Sequence, residues 1–337
     1  MQHRITDPVQ IDSDAIAAEH AAGSDVFVQF SKPGYTEHML RQLDELCQHY
    51  TTRFHVRFYG HYQRSFDCLA LRKLPAVRCL AVDCLQAADN LKTIAELQNL
   101  EELSLGVYLL DDPGFLGSGS FLNLKVLSLS ETKKRTLDLS HIAKYRRLHS
   151  LSISGHDKAL EAISGAAGID NLQLAQTRNT VSLGFINRMA GLRSLRLILG
   201  GRRNIDEIEH SGIASLSVIR VRGFESFAPQ KWPGLRDLHI EDQIQVKDLH
   251  FSAANGLLSR ILLLNCKQLE RVNGLENLSS LNEIRISRTA INIDDLLASA
   301  LPPKLQIFAI YTGKAERNRQ IRARLDSLGY AEMGPRH

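Results

Sequence analysis

Residues 277–291 read NLSSLNEIRISRTAI, and within them Leu278, Leu281, Ile284 and Ile286 are spaced three, three and two apart. An α-helix places buried residues three and four apart, and a strand places them two apart. The stretch therefore begins with helical spacing and ends with strand spacing. A short helical turn that bends into a short strand, with all four side chains in one core, accounts for both halves.

The pattern recurs along the chain. With Leu281-x-x-Ile284-x-Ile286 as template, first positions fall at Val77, Leu100, Leu124, Leu148, Ile169, Leu192, Leu216, Leu235, Leu258, Leu281 and Leu305. The steps run from 19 to 24 residues, and the second and third positions are apolar in every copy. An apolar content of 44% does not produce such a series by chance. A further column lies three residues upstream, from Leu74 to Pro302, and only Asn255 in it is plainly polar. A period in this range marks a solenoid, in which each unit buries its apolar face only by stacking on its neighbours.

Residues 71–313 resemble the leucine-rich repeat superfamily, in its short-repeat LxxLxxLxL class, and their irregularity is similar to that of bacterial members. The resemblance implies an α/β repeat solenoid: an arc with a parallel concave sheet and about 11 full repeats. It also implies Asn or Cys three residues after the last strand leucine, bonding loop backbone. Here that column holds Thr132, His156, Gln243 and Cys266 among others, and never Asn. Thr hydroxyls, waters or altered loop paths are expected to replace the ladder, with His156 bonded to loop backbone.

The end repeats of a solenoid need covers. Residues 25–70 read as a β-α-β N-terminal cap with a degenerate first repeat. The strand covers 26–30, and the helix runs from about Thr36 to Tyr50 with Met39, Leu43, Leu46, Cys47 and Tyr50 on one face. Val56 and Phe58 then lie 24 residues before Leu80 and Val82. Residues 1–24 are expected to be disordered. Residues 314–337 are expected to form a C-terminal capping helix and tail, with Ile321, Leu325 and Leu328 as its apolar stripe. Arg317, Arg319, Arg322 and Arg324 would then face solvent.

The bulk numbers exclude more than they assign. A net charge of +4, with 23% charged residues, does not mark a nucleic-acid binder. The five cysteines, Cys47, Cys68, Cys79, Cys84 and Cys266, match neither a disulfide framework nor a zinc spacing. They read as reduced, small core hydrophobes. The N-terminus has no apolar signal region and no run of about 18 apolar residues occurs. A monomer in the cytoplasm is the default expectation, with export as an effector left open. G-x-S-x-G, H-E-x-x-H and C-x-x-C are all missing, so no enzyme, cofactor or metal is expected. A His239–Glu241–Cys266 constellation would need an outward thiol, and the register places Cys266 inward.

Strand side chains alternate faces, so residues before, between and after the last two leucines point outward. In the first half these are small and hydroxylic, including Ser104, Ser128, Ser130, Ser150, Ser152 and Ser154. In the second half they are larger and charged. Arg196, Arg220, Arg222, His239, Glu241, Arg285, Arg288 and Tyr311 are the candidate partner-binding residues, because arginines and aromatics anchor interfaces. Arg196 and Arg220 are expected to be cross-strand neighbours, whose like charges an acidic partner would offset. The expected function is a non-enzymatic protein–protein interaction module of immunity-inhibitor, effector or adaptor type, binding a protein on its concave face. The alternative is a nucleic-acid-binding protein using the basic C-terminal half. Scarce aromatics on the outward columns leave it without stacking platforms.

Overall fold

In a computed structural model describing residues 2–331, the three-residue spacing of the quoted stretch is a hydrogen-bonded turn. The Leu281 N–H donates to the Leu278 carbonyl at 3.1 Å, just after a 3₁₀ turn at Leu275–Asn277. The strand Glu283–Ser287 follows, with Ile284 and Ile286 buried. The same turn closes other repeats, as from Leu192 to Met189 at 2.8 Å and from Leu235 to Trp232 at 3.1 Å. All four columns are buried because a turn and a strand both have to present their side chains to a single interior.

The chain divides into two units, residues 1–169 and 170–337. The first holds strands β1 (Gln2–Thr6), β2 (Asp25–Phe30), β3 (Phe54–Gly60), β4 (Cys79–Leu85), β5 (Glu102–Val107), β6 (Val126–Leu129) and β7 (Ser150–Ser154). The second holds β8 (Asn171–Ala175), β9 (Ser194–Ile198), β10 (Ser215–Ile219), β11 (Asp237–Glu241), β12 (Arg260–Leu264), β13 (Glu283–Ser287) and β14 (Ile307–Tyr311). Within each unit the strands pair in parallel, in chain order. Parallel neighbours need a crossover, which the 3₁₀ turns and loops supply.

Residues 2–24, expected to be disordered, are instead structured. They form β1 and the helix α1 (Ser13–Ala21), and β1 pairs with β2 over its whole length. Asp12 caps α1 by accepting from the Ala15 N–H at 2.9 Å, and Ile16 is buried. Asp7 then accepts from the Ser31 N–H at 2.7 Å and from its hydroxyl at 2.5 Å. Backbone pairing and caps hold a segment whose apolar content gave no sign of order. The helix α2 (Glu37–Tyr50) lies where the sequence places it, with Thr36 accepting from the Met39 N–H at 3.2 Å. The last helices are α3 (Ile293–Ala298) and α4 (Ala315–Ser327). Ile321 and Leu325 are buried on α4, but Leu328 is 51% exposed and leaves the expected stripe. The tail beyond 331 lies outside the described residues.

One repeat departs from the expected register. β10 aligns Leu216 with Leu195 and Leu238, and Val218 with Leu197 and Ile240. Its first position is therefore Ile213, not Leu216, and the steps around it become 21 and 22 residues in place of 24 and 19. In LSVIRVR, apolar residues at 216, 218, 219 and 221 satisfy both frames, and only pairing to the flanking strands separates them. His210 then occupies the upstream column. It is buried, with Nε2 bonded to the Met189 carbonyl at 3.0 Å and Nδ1 accepting from the Gly212 N–H at 3.0 Å. Asn255 is likewise satisfied, donating to the Pro229 carbonyl at 2.8 Å.

In nine of the strands a residue with positive φ lies two positions after the last inward side chain. Gly60, Cys84, Gly155, Gln176, Leu199, Arg220, Asp242, Asn265 and Arg288 hold this place, with φ between 52° and 74°. In the second unit their N–H groups donate to the next strand, as Asn265 does to the Ser287 carbonyl at 2.7 Å. This left-handed residue turns the chain off the sheet, and non-glycine residues carry a conformational cost there. One residue further on, side chains reach back to the preceding repeat. His156 bonds the Ser130 carbonyl at 2.9 Å, Gln243 donates to the Val218 carbonyl at 3.3 Å, and Cys266 to the Ile240 carbonyl at 3.6 Å. His156 is thus bonded to loop backbone, and in these three repeats a different donor stands in for the missing asparagine.

Candidate functional site

The outward face of the second unit holds five of the eight candidate residues. Arg196, His239 and Arg285 lie in the central outward row, and Glu241 and Tyr311 in the row that follows it. The other three lie off the sheet face, Arg220 and Arg222 because of the corrected register and Arg288 because it follows the end of β13. Arg220 and Arg288 are the left-handed turn residues, with φ of 52° each, and Arg222 lies beyond the strand, bridged through its backbone to Gly201. Arg196 therefore faces Gln173 and Ser217 across the sheet, not Arg220. Arg220 is neutralised within the chain. Its Nε donates to Asp242 at 2.6 Å, and Asn265 donates to the same carboxylate. Hydrogen bonds from Arg220 and Asn265 hold the Asp242 carboxyl below its ordinary range.

The corrected register also adds a residue. Ile219 faces outward and pairs with Ile198, so two aliphatic side chains adjoin Arg196. Leu262 and Leu264 form a second aliphatic pair on β12, where Leu262 lies between His239 and Arg285. His239 Nε2 lies 3.0 Å from the Glu241 carboxylate. Burial lowers the His239 pKa, and Arg196 adds to that, while Glu241 opposes it. Arg285 donates to Glu283 on its own strand at 2.5 Å. Arg196 is exposed and makes no salt bridge among the described residues. Cys266 is fully buried behind this face, which keeps its thiol away from His239 and Glu241.

The C-terminal arginines are spent inside the chain. Arg317 and Arg324 both reach Asp294, at 3.0 Å and 2.5 Å, and Arg319 pairs with Glu316.

The first unit presents a different outward face, which the sequence reading treats as a cap and a serine strip. Its central row runs from Gln29 through Arg57 to Ala81, Ser104 and Ser128. Gln29 donates to Thr6 Oγ1 at 2.8 Å and accepts from Arg57 at 3.4 Å. Arg57 Nε donates to Asp83 at 2.7 Å, Ser104 donates to the other Asp83 oxygen at 3.1 Å, and the guanidinium stacks 4.5 Å from the Tyr59 ring. The serines do face outward as expected, and Ser104 joins the polar network through Asp83.

The preceding row of the same unit reads Arg4, Phe27, His55, Cys79 and Glu102 on five consecutive strands. Arg4 lies 5.5 Å from the Phe27 centroid, and Phe27 stacks on His55 at 4.0 Å and 10°. Cys79 is 1% exposed, as expected for a buried thiol, but it lies on the outward side with His55 and Glu102. Burial lowers the His55 pKa and raises those of Glu102 and Cys79. The two rows line a recess of about 520 Å³. This is within the range of small-ligand sites. The sequence signal for the row was its spacing: His55, Cys79 and Glu102 are 24 and 23 residues apart, one repeat each.

No protein-family model matches this sequence, and no curated protein matches it. Among solved structures the chain is similar to the internalin inlF of Listeria monocytogenes, with 16% identity over 93% of this chain and 86% of that one, and a TM-score of 0.57. It is also similar to the leucine-rich repeat protein LIC12759 of Leptospira interrogans, with 14% identity over 84% and 88% of the two chains and a TM-score of 0.40. The likeness to the internalin is one of fold. No helix among the described residues is long and apolar enough to cross a membrane.

Proposed function

From the premise that this chain is a leucine-rich repeat solenoid, we propose that it is a non-enzymatic protein-binding module. Its partner lies across the outward sheet face of the second unit and presents a carboxylate to Arg196. The observation that carries this reading is the exposed, unbridged Arg196 guanidinium beside the outward aliphatic pair Ile198 and Ile219. The sheet fixes both backbones, so binding has to order side chains and not the chain that carries them. Arginine set among apolar side chains is a common anchor of protein interfaces. Leu262, Leu264 and Tyr311 extend the apolar area, and the His239–Glu241 and Arg285–Glu283 pairs supply polar contacts of both signs. Inhibitor, effector and adaptor roles share this surface and differ in the partner.

The test is affinity capture with the intact chain, followed by titration of the captured partner. Arg196→Glu and Leu262→Arg should each weaken binding more than tenfold, while Arg220→Glu, on the turn, should change it less than twofold. An interface of standard size, about 1,600 Å², should protect the outward face of β9–β12 from labelling. Equal losses for Arg196→Glu and Arg220→Glu, or none for either, would move the partner elsewhere.

A further inference from the structure

His55, Cys79 and Glu102 stand side by side on β3, β4 and β5, and one ligand atom from each lies within 4.8 Å of the other two. Adjacent strands are about 4.8 Å apart, so three residues in one row come together wherever the repeats stack. We propose that the His55 imidazole, the Cys79 thiolate and the Glu102 carboxylate bind a divalent ion of the zinc class, with its fourth coordination position open to the recess.

The donor set selects the ion. Imidazole and thiolate exclude calcium and magnesium, which take oxygen ligands, and together with one carboxylate they suit zinc or cobalt. Three protein ligands with an open fourth position is the arrangement of zinc sites that exchange a ligand, whereas structural sites are closed by four. Bonds of about 2.0–2.3 Å imply ligand atoms about 3.4–3.8 Å apart. The three side chains close to that distance by small rotations.

The surroundings leave these groups available. Glu102 is half-buried and makes no salt bridge among the described residues. The Cys79 thiol reaches the Thr52 carbonyl at 3.6 Å, and its other polar neighbour is the Glu102 carboxylate of the same trio. The Phe27 ring stacked on His55 fixes the plane of the imidazole, as the outer contacts of ligating histidines do. On binding, the sulfur–metal bond forms as the thiol releases its proton to solvent. Thiolate and carboxylate then bring two negative charges to a dipositive ion, and the buried site is neutral. The recess that the three residues line also holds Arg57 and Asp83, and a water or a donor atom from a ligand bound there would complete the coordination.

The probe is cobalt(II), added to the intact, reduced, tag-free chain after chelation and followed by zinc. One equivalent should bind with a sulfur-to-cobalt charge-transfer band and tetrahedral visible bands, and zinc should displace it. Cys79→Ser should abolish the charge-transfer band, and Cys84→Ser should retain it. His55→Ala and Glu102→Gln should weaken binding at least about tenfold. Far-UV circular dichroism checks each fold, and should Cys79→Ser not fold, the near-isosteric Glu102→Gln decides. No charge-transfer band in the wild-type chain, or wild-type affinity in both His55→Ala and Glu102→Gln, would overturn the site. So would cobalt-independent alkylation of Cys79 faster than of exposed Cys84, which would assign the row to thiol chemistry instead.

Discussion

The outward faces of the two units are built on the same backbone and do opposite things with it. In the first unit Arg57 occupies the central row and is consumed by its neighbours: Asp83, Gln29 and the Tyr59 ring all hold it. In the second unit Arg196 occupies the central row and stands exposed beside aliphatic side chains. The difference comes from the residue one repeat away. Asp83 lies in the following row on β4 and meets Arg57, whereas the row following Arg196 offers Ile198 and Ile219. An arginine on such a sheet becomes structure or surface according to what the next repeat places beside it.

The largest expected effect tests whether the inner faces of the two units are equivalent. Phe58→Ala in the first unit and Trp232→Ala in the second each empty a fully buried site and should cost roughly 3–5 kcal/mol in urea unfolding. A loss below about 1 kcal/mol in either would show that the units do not share one kind of core.

The outward rows come next. Arg57→Ala strands a mostly buried Asp83 carboxylate and should cost about 1–3 kcal/mol. Arg196→Ala should stay within about 0.5 kcal/mol, as surface changes do. Similar values for the two would erase the contrast drawn between paired and free arginines.

The smallest expected effect is a dependence on pH. Burial lowers the pKa of His156 below 6.5, so the folded state resists the proton that the unfolded chain accepts. Its stability contribution is complete above pH 6.5 and declines as pH falls below it, by at most about 1.4 kcal/mol per unit. His156→Gln should flatten the fall in thermal midpoint between pH 7.5 and 5.5. An unchanged slope would locate the acid sensitivity in His20, His55 or His239, whose pKa values burial also lowers.

The two units were not equally legible. In the second, the sequence reading finds the face and five of its residues, but misplaces Arg220 and Arg222 because LSVIRVR fits two frames. The 19-residue step to Leu235 was the visible warning, since it stood beside steps of 23 and 24. In the first unit the order of residues 2–24 was hidden, because β1 gains its stability from pairing with β2 and not from its own pattern. The His55–Cys79–Glu102 row was hidden for a related reason. A zinc motif is sought within a few residues, while here the ligands are a whole repeat apart.

By itself the sequence determined the period, the inward columns and the outward alternation. Burial of apolar surface is read directly from residue type and spacing, and every repeat imposes it again. Only the tertiary structure decided which residues become neighbours across strands. That depends on inter-strand hydrogen bonds, which carry no side-chain signature, and a three-residue slip in one repeat moves Arg220 from the sheet face to a turn. The same pairing brings an imidazole, a thiol and a carboxylate into one row and leaves Arg196 to face solvent.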